Sequence, residues 1–124
     1  MMLEWKKLNN WETDCLPSGI GGIYIYVEPW HFIDAFEVIV YVGQTNDFFR
    51  RHNNEHLGVN EQNSKLKDFL EFNLKWSIYY AKVEEIYRDG VENYIFNSFH
   101  PKFNEVSPPG DTAISCNLPK SICK

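Results

Sequence analysis

Two stretches decide the fold of this chain: Gly22-Ile23-Tyr24-Ile25-Tyr26-Val27 and Val38-Ile39-Val40-Tyr41-Val42-Gly43. Both are short runs dense in β-branched and aromatic side chains, which suit a pleated, half-buried surface. Each reads as a strand, over 23–27 and 38–42. Strands this close in sequence form an antiparallel hairpin, and residues 28–37, with Pro29 and several aromatics, read as its long loop. Side chains alternate along a strand, so Tyr24 and Tyr26 share one face, and Tyr41 can join them from the neighbouring strand.

Working outward, Gly43-Gln44-Thr45-Asn46 breaks the second strand, and Asn46 or Asp47 is placed to cap a helix over 46–57. Leu66, Phe69 and Leu70 have the spacing of one buried helical face over 63–73. Trp76 to Val83 reads as a third strand. A third helix is read over 89–99, carrying Val91, Tyr94, Ile95 and Phe99 and ending at Pro101. The order predicts an α+β fold with a small three-stranded, mostly antiparallel sheet flanked by helices. Residues 1–20 are read as an N-terminal arm or short helix, 21–104 as the folded domain, and 105–124 as a turn-rich tail packing on it.

The bulk properties set limits. A chain of 124 residues with 44% hydrophobic and 16% aromatic side chains is one domain with a real core. No apolar run approaches the ~20 residues of a membrane span, so no membrane partner is expected. The N-terminus lacks the apolar core of a signal peptide. Three cysteines, Cys15, Cys116 and Cys123, at unmatched spacings argue for the cytoplasm or another reducing intracellular compartment. A net charge of −5 argues against a surface-wide grip on nucleic acid, whose affinity rests on phosphate neutralisation. Any such binding rests on a local patch, for which Arg50, Arg51, Lys65, Lys67 and Lys102 are the candidates.

Gly22-Ile23-Tyr24 opens the first strand and Tyr41-Val42-Gly43 closes the second, with sixteen residues between the two tyrosines. The pair, in this order on adjacent strands, resembles the GIY-YIG nuclease family, with Val42 in place of the second Ile. Arg51, ten residues after Tyr41, looks like the family's arginine, and Glu92 in Asp89-Gly90-Val91-Glu92 like its metal-binding glutamate. His100-Pro101-Lys102-Phe103-Asn104 is similar to the family's closing proline and asparagine. The resemblance covers residues 20 to 104. It implies a metal-dependent endonuclease that hydrolyses DNA phosphodiester bonds with Mg²⁺ or Mn²⁺. Tyr24, Tyr41, Arg51, Glu92 and His56 form the implied catalytic set, with Gly43, Thr45, Arg50 and Asn104 as binding residues.

The residues suit that chemistry on their own terms. Two phenols can order a water and, once one is deprotonated, accept its proton. A phenol's ordinary pKa is about 10, so it needs a nearby cation, which Arg51 would supply. A lone carboxylate suits Mg²⁺, which keeps most of its waters and binds phosphate oxygen directly. Tyr24, Tyr41, Arg51 and Glu92 are therefore expected to converge on one concave site.

The resemblance departs from the pattern at one place. The family often has a histidine or tyrosine four residues after the arginine; here that position is Glu55, flanked by His52 and His56. In an α-helix His56 would sit roughly 140° round from Arg51. Three readings stay open: a later helix start, a one-residue shift, or a different group in that role. His52-Asn53-Asn54-Glu55-His56 also fits an H-x-x-E-H zinc-peptidase pattern, with Glu55 as base. A third reading is an inactive module of the same fold that binds nucleic acid or protein. The chain leaves no room for a separate specificity domain. Specificity would then come from loops such as 28–37, the tail, a homodimer or a partner protein.

Overall fold

The computed structural model of the chain describes residues 1–30 and 33–122, so Cys123 lies outside the described residues. Strand β1 is Lys6–Asn9, followed by a short 3-10 helix, Asn10–Cys15. The central hairpin is β2, Gly22–Trp30, and β3, Ile33–Thr45. A π-helix spans Arg50–His56 and helix α1 spans Ser64–Phe72. Strand β4, Ser77–Lys82, and helix α2, Glu85–Phe99, complete the order. No helix among the described residues is long and apolar enough to cross a membrane.

The fold is α+β with one antiparallel sheet in the order β1-β4-β2-β3. It has four strands, not the three that the sequence predicts. The fourth comes from the segment read as an arm, where Lys6 to Asn9 pair with Tyr80 to Ser77. This run is short, polar and carries two lysines, so it has no apolar alternation to betray it. Charged side chains of this kind suit an edge strand, where they discourage pairing with other chains. The loop expected at 28–37 is instead largely strand, with Glu28 opposite Val38 and Pro29 opposite Glu37.

Two apolar layers hold the sheet. On one face Ile23, Ile25, Val27, Val42 and Ala81 pack against Val91 and Ile95 of α2, with Ile114, Leu118 and Ile122 of the tail beside them. On the other, Tyr24, Tyr26 and Ile78 pack against Phe48, Leu66, Phe69, Leu70 and Trp76. The pairing shifts between Tyr26, opposite Tyr41, and Val27, opposite Ile39, so Val40 is the extra residue of a β-bulge. The bulge moves Tyr41 off the face that Ile39 occupies and onto the face of Tyr24 and Tyr26. The carbonyl of Val40 accepts the Phe103 N–H at 2.9 Å.

Helix α2 begins at Glu85, one turn before the predicted start, which places Gly90 and Glu92 in its interior. Glycine weakens helices, and Gly90 stands inside this one. Its reason is tertiary: a Cβ there would meet the Ile114 side chain of the tail at 2.5 Å.

Candidate active site

The helix expected over 46–57 does begin where the sequence places it. The Asp47 carboxylate accepts the Arg50 N–H at 3.0 Å, a side-chain cap. It then widens into a π-helix over 50–56, with the Leu57 N–H bonded back to the His52 carbonyl at 3.2 Å. Bonding of the i to i+5 kind brings residues five apart onto one side. His56 and Arg51 both reach inward from this turn. Both meet the hydroxyl of Tyr24, His56 Nε2 at 2.6 Å and Arg51 Nε at 3.3 Å. Glu55 turns outward and pairs with Arg50 and Arg51 at 2.8 and 2.9 Å.

A cleft of about 470 Å³ opens beside the β3 edge, lined among others by Tyr41, Arg51, Glu61, Glu92 and Asn104. Helix α2 packs on the sheet face opposite Tyr24, so Glu92 and Tyr24 belong to different layers of the fold. Their convergence is not the shared concave face that the sequence suggested. Glu92 reaches the cleft round the open edge of β3, held by Gln44 Nε2 at 3.0 Å, and the same amide also donates to Asp89. Tyr24 does not line the cleft; it is buried behind it, and Tyr41 is the phenol that reaches it.

The residues read as binding groups mostly shape this arrangement. Gly43 faces Tyr24, and any Cβ there would collide with the Tyr24 ring and hydroxyl. Thr45 is buried, its hydroxyl exchanging hydrogen bonds of 3.1 Å with the backbone of Asp47 at the helix start. Arg50 lies outside the cleft, engaged with Asn46 and Glu55. Asn104 does line the cleft, and its amide pairs with both backbone groups of Val42 at 2.9 Å, completing the edge of β3 next to Tyr41. Of the proposed basic patch, Arg50, Arg51, Lys67 and Lys102 each carry a carboxylate partner.

The electrostatics follow from burial. Burial pushes the Tyr41 phenol up, and the charge of Arg51 with hydrogen bonding from Tyr24 and Arg51 works against that rise. Burial also raises the Glu92 carboxyl, with Asp89 adding to the effect and Gln44 and Arg51 opposing it. His56 falls to about 2, by burial first and then by Arg51 and His52, so it is neutral at rest. His52 falls to about 4 by burial.

Among the described residues no three His, Cys, Asp or Glu side chains are grouped to hold a metal ion. Glu92 and Asp89 share the Gln44 amide beside the cleft. The H-x-x-E-H residues are not arranged to hold zinc together. His52 Nδ1 is taken by the Tyr26 hydroxyl at 2.7 Å, His56 by Tyr24 and Glu61, and Glu55 by arginines.

Two contributors escaped the sequence reading. Glu61 sits 2.6 Å from His56 Nδ1, contributed by an irregular loop with no periodic signal. Gln44 follows Gly43 and faces α2, which strand alternation would have shown had Glu92 been placed on that layer. No protein-family model, curated protein or solved structure matches the chain.

Proposed function

We propose that this chain is a GIY-YIG-like endonuclease that hydrolyses DNA phosphodiester bonds with a divalent cation. The observation that carries the reading is the meeting of Tyr41, Arg51 and Glu92 in one cleft. They come from a strand, a π-helix and a helix on the far face of the sheet. Packing alone gives no reason for a phenol, a guanidinium and a buried carboxylate to meet there.

Each group then has a role. Tyr41 accepts the proton of the attacking water. Arg51 supports the phenolate and forks onto the phosphate. Glu92 holds the cation, which when bound stabilises the charge on the phosphate and on the leaving oxygen. Tyr24 and His56 stand behind Tyr41 and Arg51. The oxygen of water joins phosphorus, the bond to the leaving oxygen breaks, and a 5′-phosphate remains.

Supercoiled plasmid with and without Mg²⁺ tests the proposal. Nicking that needs the cation and is lost in both Tyr41→Phe and Glu92→Ala is the expected result. Binding of DNA without cleavage by the parent protein would favour the inactive module. The paired state of the basic side chains makes that binding weak and its salt dependence shallow.

A further inference from the structure

Beside the cleft, α1 and the segment that follows it carry an open groove of about 810 Å³ that the nuclease reading leaves without a task. Phe69 and Phe103 form its apolar wall, with ring centroids 5.0 Å apart. Phe72 and Leu74 stand at it 76% and 81% exposed. Lys65 and Lys75 line it as well. Groove and cleft adjoin. Asn63 and Asn104 line the cleft, Phe103 lines the groove, and the Asn63 amide donates to the Phe103 carbonyl at 2.7 Å.

Charge and chemistry select the occupant. Two large apolar side chains left in water at one place mark a contact surface. Among the described residues Lys65 and Lys75 have no carboxylate partner, whereas Lys67 and Lys102 each have one. Asp68 also lines the groove and pairs with neither lysine. Two lysines against one aspartate leave the groove positive, in a chain whose net charge is −5. A duplex keeps its base faces stacked inside and presents phosphates, so it has no use for Phe72. An unpaired strand offers both halves of the match: base faces that stack on aromatic rings, and phosphates that lysines neutralise.

We propose that this groove binds an unpaired stretch of DNA strand and leads it to the cleft, with a base stacked on Phe72 and phosphates held by Lys65 and Lys75. Its task beside a phosphodiester-cutting centre rests on the nuclease reading. The strand runs from Lys65, two residues from Asn63 at the cleft, to Lys75 beyond the end of α1. DNA whose bases are unpaired next to the cut is then the substrate class that cleft and groove take together. The few free cations give this grip a small electrostatic share, so stacking carries much of it.

Fluorescence anisotropy of a short labelled oligothymidylate with the full chain, without metal, tests this, because binding is read with no cleavage. The parent should bind. Phe72→Ala should weaken binding roughly 5- to 150-fold, the effect of losing one stacked base. The double variant Lys65→Gln, Lys75→Gln should make the salt slope shallower by about 1.4, at about 0.7 for each phosphate contact on a single strand. All three side chains are exposed, so the variants should melt with the parent. A parent that binds no oligothymidylate, a Phe72→Ala variant of parental affinity, or an unchanged salt slope overturns the inference. So does a blunt duplex of the same length that competes as well as the single strand. Self-association of the parent that Phe72→Ala abolishes, with no oligothymidylate bound, overturns it in favour of a contact between copies. Plasmid nicking without oligothymidylate binding sinks the groove alone. Binding without nicking sinks the nuclease reading and leaves the groove as a single-strand site.

Discussion

The two tyrosines offer the sharpest separation of chemistry from packing, because each loses only a hydroxyl on replacement by Phe. Tyr24 is buried, and its hydroxyl serves both His56 Nε2 and Arg51 Nε. Tyr24→Phe strands Nε2 in the interior, and a buried polar atom left without its partner costs about 1–3 kcal/mol. At about 4 °C per kcal/mol for a chain of this size, Tm should fall by roughly 4–12 °C. Tyr41 is partly exposed at the cleft, where water replaces the lost bonds, so Tyr41→Phe should change stability by less than about 0.5 kcal/mol. Its nicking activity should nevertheless drop by roughly 10²–10⁴ as the acceptor of the water's proton is removed. Thermal melts and single-turnover plasmid nicking on both variants separate the two effects. A Tyr41→Phe protein that nicks at the parental rate would refute the assignment of Tyr41 as base. Equal melting temperatures for parent and Tyr24→Phe would refute the buried line of hydrogen bonds.

Three further outcomes are expected. Burial raises the Glu92 pKa, so the folded state favours the neutral carboxyl, and Glu92 loses stabilising power as pH rises through that shifted value. Glu92→Gln, a neutral mimic, should therefore abolish nicking yet raise the metal-free Tm at pH 7; a lower Tm would show that the ionised carboxylate is the stabilising form. Gly43→Ala drives a methyl into the Tyr24 ring and hydroxyl and should cost about 1–3 kcal/mol in urea unfolding, with nicking lost; a variant of parental stability would mean that Tyr24 is not seated there. His52 and His56 are held to about 4 and about 2, below the ordinary 6.5, so the unfolded chain binds protons first and stability drains as pH falls below 6.5. Each contributes a slope of about 1.4 kcal/mol per pH unit in that window, and urea midpoints that stay level between pH 7 and pH 5 would contradict their burial as neutral rings.

The parts of this protein legible in its sequence are those carried by local pattern. The hairpin of Tyr24 and Tyr41 reads directly, because β-branched and aromatic runs bounded by glycine have few other uses. The Asp47 cap and the apolar face of α1 are equally plain, since both depend on residues within one or two turns of each other. What tertiary structure alone decided involves partners far apart in the chain. Lys6–Asn9 is a strand only because β4 offers it an edge. Gly90 is tolerated inside α2 because the tail needs the space. The bulge at Val40 sets the face of Tyr41, and the π-helix sets which histidine meets Tyr24. Neither has a local signature, since each adds one residue to a repeat. Their effect is to turn side chains toward groups 17 to 32 positions away in the chain. The sequence therefore supplied the chemical groups, whereas the packing of two layers on one sheet edge chose which of them face the cleft and which stand behind it.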